Sequence, residues 1–450
     1  MQAVIPTGAR HEVDVDDIFF STTDARGVIE QSNGVFVRMS HYAHDQLVGA
    51  PHNLIRHPEM PGGAFKVMWD TLQAGKPFTA YVRNLAANGS EYCVYATITP
   101  LADGGYLSVR MRPNREDLFE TALAIYQQTR AYEDGLLTDG YNRRQAAEAG
   151  ASKLAQLLAS GGIPTYDDLQ NFALPAEVAA HEARSSGFPY RPAARGELRA
   201  ILDDVHGAYQ ELDAWMAQQE KLTKLADSLK QVGQRLAGEL DGTNVTAETI
   251  GVLSAAGTRY ASLIQPLELW MQMQGIVSSS VKRLRATLTR LESNSIDTRF
   301  RVALARLHTT MMANFTAELI DGDEYSDYSL PAISTLTSAL RQGIAQMDEQ
   351  TAMHARLTAD TAASIAQTMS IMSIPRELLM LWQQTAGQSV LPREVAAVVP
   401  AITERIDRAG DAVSELDRLA KQCRDIRRHD STRLLSAVRR IGERANLLAG

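Results

Sequence analysis

The chain has 450 residues, too many for one ordinary domain, so two or three are expected. Its apolar fraction of 45% supplies real cores and excludes wholesale disorder, while its net charge of −8 disfavours a generally basic nucleic-acid binder. The two cysteines, Cys93 and Cys423, lie far apart, so no disulfide framework or cysteine-based zinc site is expected, and a reducing cytoplasm fits best.

The N-terminus, Met1-Gln2-Ala3-Val4-Ile5-Pro6, lacks a charged start followed by an apolar core, so no secretory signal is expected. No run of about 20 apolar residues predicts a membrane span. Asp17–Thr23 reads as a short strand, and Asp24–Gly27 as a turn into a second strand, Val28–Gln31. Ser32-Asn33 can cap a helix through Phe36 and Met39. After a proline-bracketed run, Gly63 to Ala74 reads as a helix with Phe65, Met68, Trp69 and Leu72 on one face. Three strands follow, Phe78–Leu85, Tyr92–Pro100 and Gly105–Arg112, the first two joined by the hairpin signal Asn88-Gly89.

The bracketed run is Pro51-His52-Asn53-Leu54-Ile55-Arg56-His57-Pro58-Glu59-Met60-Pro61. With Ser21-Thr22-Thr23-Asp24 before it and Trp69, Asn84 and Tyr92 after it, this text resembles the PAS domain of bacterial aerotaxis receptors. The resemblance implies an α+β domain with a five-stranded antiparallel sheet that holds a flavin, FAD, and reports cellular redox state. It also implies a pocket formed by Asn33, Arg56, His57, Glu59, Trp69, Asn84 and Tyr92. Two positions depart from the family pattern: Glu59 stands for the shorter aspartate, and Cys93 for an aromatic residue.

The residues themselves support such chemistry. A flavin needs an apolar slot and a few donors. Arg56 can hold phosphate oxygens in a fixed fork, Asn33 and Asn84 suit a pyrimidine-like edge, and Trp69 and Tyr92 offer flat faces. An amide beside the flavin edge could turn as donors and acceptors exchange, passing the change to the helix beginning near Glu116. The competing readings make Trp69 and Tyr92 core residues and pair Arg56 with Glu59 as a loop brace. His57 as a haem ligand is a further alternative. The pairs His41/His44 and His52/His57 lack partners for a metal set and read as solvent-exposed histidines.

Beyond Glu116 strand signals nearly vanish. Glu116–Glu133 and Asn142–Ala159 read as helices, and 161–192 as a Pro/Gly-broken connection with short helices. Three seams with 3-4 spacing follow. The first is Leu222, Leu225, Leu229, Val232 and Leu236; the second Val277, Val281, Leu284, Leu288 and Leu291. The third is Ile402, Ile406, Ala409, Val413, Leu416, Ala420 and Cys423. Breaks are expected at Asp321–Ser329, Ser373-Ile374-Pro375 and Ser389–Pro392. The chain thus divides into a sensor domain over 12–114, a helical connector over 115–195 and a large helical bundle over 196–450.

Phe300–Leu307 and Phe315–Leu319 give a faint echo of a chemoreceptor signalling tip, although the family's stereotyped tip elements are missing. Arg424, Arg427, Arg428, Arg433, Arg439, Arg440 and Arg444 read as a solvated bundle face, or alternatively as a site for an acidic partner. No P-loop, kinase lid, cyclase or hydrolase motif occurs, so the chain is not expected to be an enzyme. The expected function is a cytoplasmic signal-transduction protein sensing redox state. Its expected partners are proteins, the chemotaxis kinase and coupling protein among them, with a homodimer and no nucleic acid. The alternative is an adaptor whose PAS domain holds no cofactor.

Overall fold

Five strands build the N-terminal sheet: β1 (Phe19–Thr23), β2 (Ile29–Ser32), β3 (Phe78–Leu85), β4 (Glu91–Pro100) and β5 (Tyr106–Met111). They run antiparallel in the order β2-β1-β5-β4-β3, which places β5 at the centre. The computed structural model describes residues 4–240, 243–324, 326–425 and 429–449. Side chains at 239, 240, 243–246, 274, 375, 376, 379, 398, 405, 406, 409, 423 and 424 lie outside that description.

Period-two alternation divides the sheet into two faces. On the inner face lie α1 (Gly34–Ser40), α2 (His44–Leu47), a 3₁₀ turn over His52–Ile55 and α3 (Gly62–Gln73). Phe19, Phe36, Leu47, Tyr92 and Val94 pack together there. The opposite face carries Phe20, Tyr81, Tyr95, Leu107 and Val109 into a larger core with the chain's own helices.

The helices are α4 (Glu116–Thr138), α5 (Arg143–Ser160), α6 (Tyr166–Arg184), α7 (Gly196–Leu240), α8 (Thr243–Ala255), α9 (Ala261–Asp321), α10 (Ser326–Gly387), α11 (Arg393–Asp425) and α12 (Thr432–Ala449). Contacts gather the chain into two units. The first comprises Met1–Met216, Arg299–Asp348 and Asp430–Gly450; the second comprises Ala217–Thr298 and Glu349–His429.

In the first unit, Phe315 of α9 meets Phe20 edge to face at 5.1 Å between ring centroids, and Phe119 of α4 lies against Tyr81. The second unit buries the first two seams as their spacing requires, with Leu229, Val277, Leu284 and Leu288 all fully enclosed. In the third seam Ile402, Leu416 and Ala420 are buried, whereas the side chains of Ile406, Ala409 and Cys423 lie outside the described residues.

Two expected interruptions are absent. Residues 161–192 contain the 19-residue α6, capped by Thr165 and Asp168, instead of short helices. Pro175 sits inside it, and tertiary burial of Ala173, Leu174 and Val178 outweighs the lost backbone bond. Similarly, α10 runs without a break through Ser373–Pro375, held by buried Met372 and Trp382. The breaks near Asp321 and Ser389 are present.

The chemoreceptor-like text is not a tip. Phe300, Val302, Ala303, Leu307 and Phe315 are buried in the core of the first unit. Among the arginines of the C-terminal helix, Arg440 and Arg444 pair with Asp204 and Glu197 of α7, and Arg433 approaches Glu211. Arg424, Arg427 and Arg428 lie outside the described side chains.

Candidate functional site

Between the inner sheet face and α3 lies a cavity of about 430 Å³, within the size range of small-molecule sites. α3 contributes Phe65, Met68, Trp69 and Leu72, the apolar face read from the sequence. The strands contribute Val82 and Asn84 from β3, Ala96 and Ile98 from β4, and Tyr106, Ser108 and Arg110 from β5. Thr23, Arg26 and Gly27 close one side, with His52, Asn53 and Arg56 on the loop before α3.

Gly27 has φ +81, a turn conformation that strains any other L-residue, and an added Cβ would lie 3.3 Å from the Trp69 ring. Trp69 packs edge to face on Tyr106 at 5.5 Å, so the indole is wedged between a tight turn and the central strand.

Three of the seven sequence-derived residues line this cavity: Arg56, Trp69 and Asn84. The Arg56 guanidinium lies 3.7 Å above the Phe65 ring, and burial lowers its pKa. The competing reading, Arg56 as a brace for Glu59, is not what the structure has: the Glu59 carboxylate binds Arg83 and is held below the usual carboxylate range by that bond.

The other four side chains have structural positions outside the lining. Asn33 accepts from the backbone N–H groups of Phe20 and Phe36 at 3.0 and 3.2 Å and donates to the Ile18 carbonyl at 2.8 Å, tying β1 to the start of α1. Tyr92 is fully buried and stacked on Phe19. The imidazole of His57 is buried: Nδ1 accepts from the Glu59 backbone N–H at 3.3 Å, and Nε2 lies 3.4 Å from a Glu91 carboxylate oxygen. Both ring nitrogens are engaged, which disfavours iron ligation. The reading of His52 and His57 as solvent-exposed is corrected, because His57 is buried and His52 is partly buried in the cavity wall.

The polar centre of the cavity wall is Arg110 with His52, neither of which the sequence reading selected. Arg110 is 3% exposed and has no carboxylate partner among the described residues. Its Nη2 donates to Ser21 Oγ at 2.6 Å and to His52 Nε2 at 2.5 Å, while Nη1 is buried without a hydrogen-bond partner. Arg110 has no lone pair, so His52 must accept at Nε2 and carry its proton at Nδ1. Burial, then the nearby guanidinium, push His52 down to about 3, and burial lowers Arg110 to about 10. The wall therefore holds a fixed positive charge beside the cavity. The available signal was register: Tyr106, Ser108 and Arg110 share one strand face with the cavity.

Cys93 is buried but outside the lining, and no group of three or more metal-ligating side chains occurs among the described residues. No described helix is long and apolar enough to cross a membrane.

Residues 29–110 match the family model described as the PAS fold, so the N-terminal region is a PAS domain. The aerotaxis receptor of Escherichia coli K12 is 40% identical over 107 residues, covering 23% of this chain and 21% of the receptor. The nitrogen fixation regulatory protein of Klebsiella pneumoniae is 32% identical over 89 residues, covering 20% of this chain and 18% of that protein. The chain thus spans about a fifth of the length of these curated relatives. A solved light-oxygen-voltage domain characterised with a flavin analogue is 23% identical, with a TM-score of 0.22, covering 24% of this chain and 84% of its own.

Proposed function

We propose that the cavity binds a flavin, FAD, and that the chain is a non-enzymatic, cytoplasmic signal-transduction protein reporting redox or oxygen-linked energy state. One observation carries this reading: a buried guanidinium with no carboxylate partner among the described residues stands in the wall of a mostly apolar cavity. Burying such a charge costs several kcal/mol that Ser21, His52 and the Phe36 ring offset only in part, which favours a ligand with an electron-rich edge. The resemblance to aerotaxis-receptor PAS domains implies the same ligand, and the 40% identity with one such receptor over 107 residues supports that resemblance.

A bound flavin would supply reversible uptake of electrons and protons. Arg110 and His52 would hold its polar edge, Trp69 and Phe65 would enclose the rings, and Arg56 would meet the phosphates. The Asn84 amide can donate or accept, so it can follow a change in ligand protonation. A change at this wall reaches β5 and β1, whose other faces carry Val109 and Phe20 into the helical core. The output is a protein–protein contact, with the chemotaxis kinase and coupling protein the first partners to test. Burial of Phe300–Leu307 means that a receptor-style tip contact would not use that segment.

The test is the absorption spectrum of the purified full chain. Flavin bands that bleach with dithionite and return in air support the reading, and Arg110→Leu should remove them. A Soret band would replace flavin by haem. Colourless protein that stays colourless after FAD supplementation would favour the adaptor reading.

A further inference from the structure

One face of α3 lines the cavity; its other side and its N-terminus are fixed by a helical hairpin outside residues 29–110, the span matched by the PAS model. The N-cap of α3 is Pro61, which provides no side-chain cap. The cap comes instead from Glu133 on α4. Its carboxylate is 2% exposed and accepts from the backbone N–H groups of Gly62 and Gly63, both at 2.7 Å. One anion thus satisfies two orphan donors at a helix N-terminus.

The packing around it leaves no slack. A Cβ added at Gly63 would lie 2.3 Å from the Gly150 carbonyl carbon of α5, and one added at Gly150 would lie 2.0 Å from Glu133 Oε1. The backbones of α3 and α5 therefore touch, with the carboxylate enclosed between them. Ala64, Leu154 and Leu158 continue the contact in the same core. α3 cannot shift toward or away from the cavity without moving Glu133 or opening the glycine contact, because close-packed interiors do not deform smoothly.

We propose that Glu133 is a positioning residue that sets the placement of α3, and so the width of the ligand cavity. Through it, the α4–α5 hairpin reads cavity occupancy. The inference rests on the flavin reading for its ligand, while the linkage itself is a property of the protein alone. Linkage is reciprocal: a ligand that holds α3 steadies the hairpin, and loosening the hairpin weakens the ligand by the same factor.

The experiment is hydrogen exchange on the full chain, with FAD as probe, for wild type, Glu133→Gln, Trp69→Ala and the double variant. The glutamine keeps one acceptor but turns an NH₂ toward the second N–H. FAD should slow exchange in Arg143–Ser160 of the wild type. Glu133→Gln should retain its helical circular dichroism, bind FAD about tenfold more weakly, and show no slowing in α5 at saturation. Equal slowing in both proteins, or slowing confined to the strands and α3, overturns the proposal.

If wild type takes up no FAD, the flavin reading fails and the ligand-free proteins decide the linkage. Trp69→Ala should then speed exchange in α5 in the wild-type background and add nothing in Glu133→Gln. Equal increments in both backgrounds overturn it.

Discussion

Arg110 sets the balance between stability and binding at the scale of one side chain. Replacing it with methionine fills similar space and removes a buried charge whose desolvation costs several kcal/mol, more than the bonds to Ser21 and His52 return. Arg110→Met should therefore raise the ligand-free melting temperature while abolishing flavin uptake. A variant that loses both stability and binding would mean that the guanidinium is a structural tie through Ser21. His308 gives a pH prediction. It is fully buried in α9, Nε2 has no partner, and burial depresses its pKa to about 4. Below about 6.5 the unfolded state binds a proton that the folded state refuses, so stability present at neutral pH is lost as pH falls toward 4. Between pH 7 and 5 this group alone costs about 2 kcal/mol. Denaturant midpoints for His308→Leu should fall less steeply over that interval than those of wild type. At this scale the sequence was only partly legible. Asn33 was readable as a helix cap, and Trp69 as part of an apolar face. Arg110 needed the strand register, and the Arg83 bonds to Glu59 and Glu91 needed cross-strand geometry that no local motif encodes.

Elements were read best where one periodicity ran undisturbed. The seams of α7 and α9 are buried at every expected position because an apolar stripe on a long helix has no other way to leave water. Leu229→Ala and Leu284→Ala should each cost about 2–5 kcal/mol in unfolding of the second unit, measured by denaturation. Smaller effects would mean that the stripe faces solvent more than its burial indicates. α6 was misjudged because Pro175 and the surrounding glycines are strong local breakers, while the forces that keep it helical are tertiary. Glu177 shows why. This fully buried carboxylate accepts from the Tyr81 hydroxyl at 2.7 Å and from the Asn114 N–H at 2.6 Å, anchoring α6 to β3 and to the approach of α4. Gly63→Ala makes the corresponding prediction for α3: overpacking of about 1–3 kcal/mol, visible as a lower melting temperature. Neither glycine contact announced itself in the sequence, since Gly63 and Gly150 lie far apart along the chain.

The whole molecule shows that the sensor sheet does not finish its own core. Its outer face packs on α4, α6 and Phe315 of α9, and these join α7, the start of α10 and α12 in one apolar cluster. Composition gave the domain class, but a seam gives no address for the surface it will meet, so this covering was not foreseeable from spacing. Phe315→Ala removes the ring seated on Phe20 and should cost about 3–5 kcal/mol in the first unit. The second unit should melt unchanged, which two-probe calorimetry would resolve. Leu434, Val438 and Ile441 of α12 belong to that same cluster. A ribosome making this protein therefore releases β1 through β5 long before their final cover exists. The nascent sheet waits with Phe20 uncapped until Phe315 has been made. Excised sensor fragments should inherit that stickiness, and precipitate where the intact polypeptide stays clear.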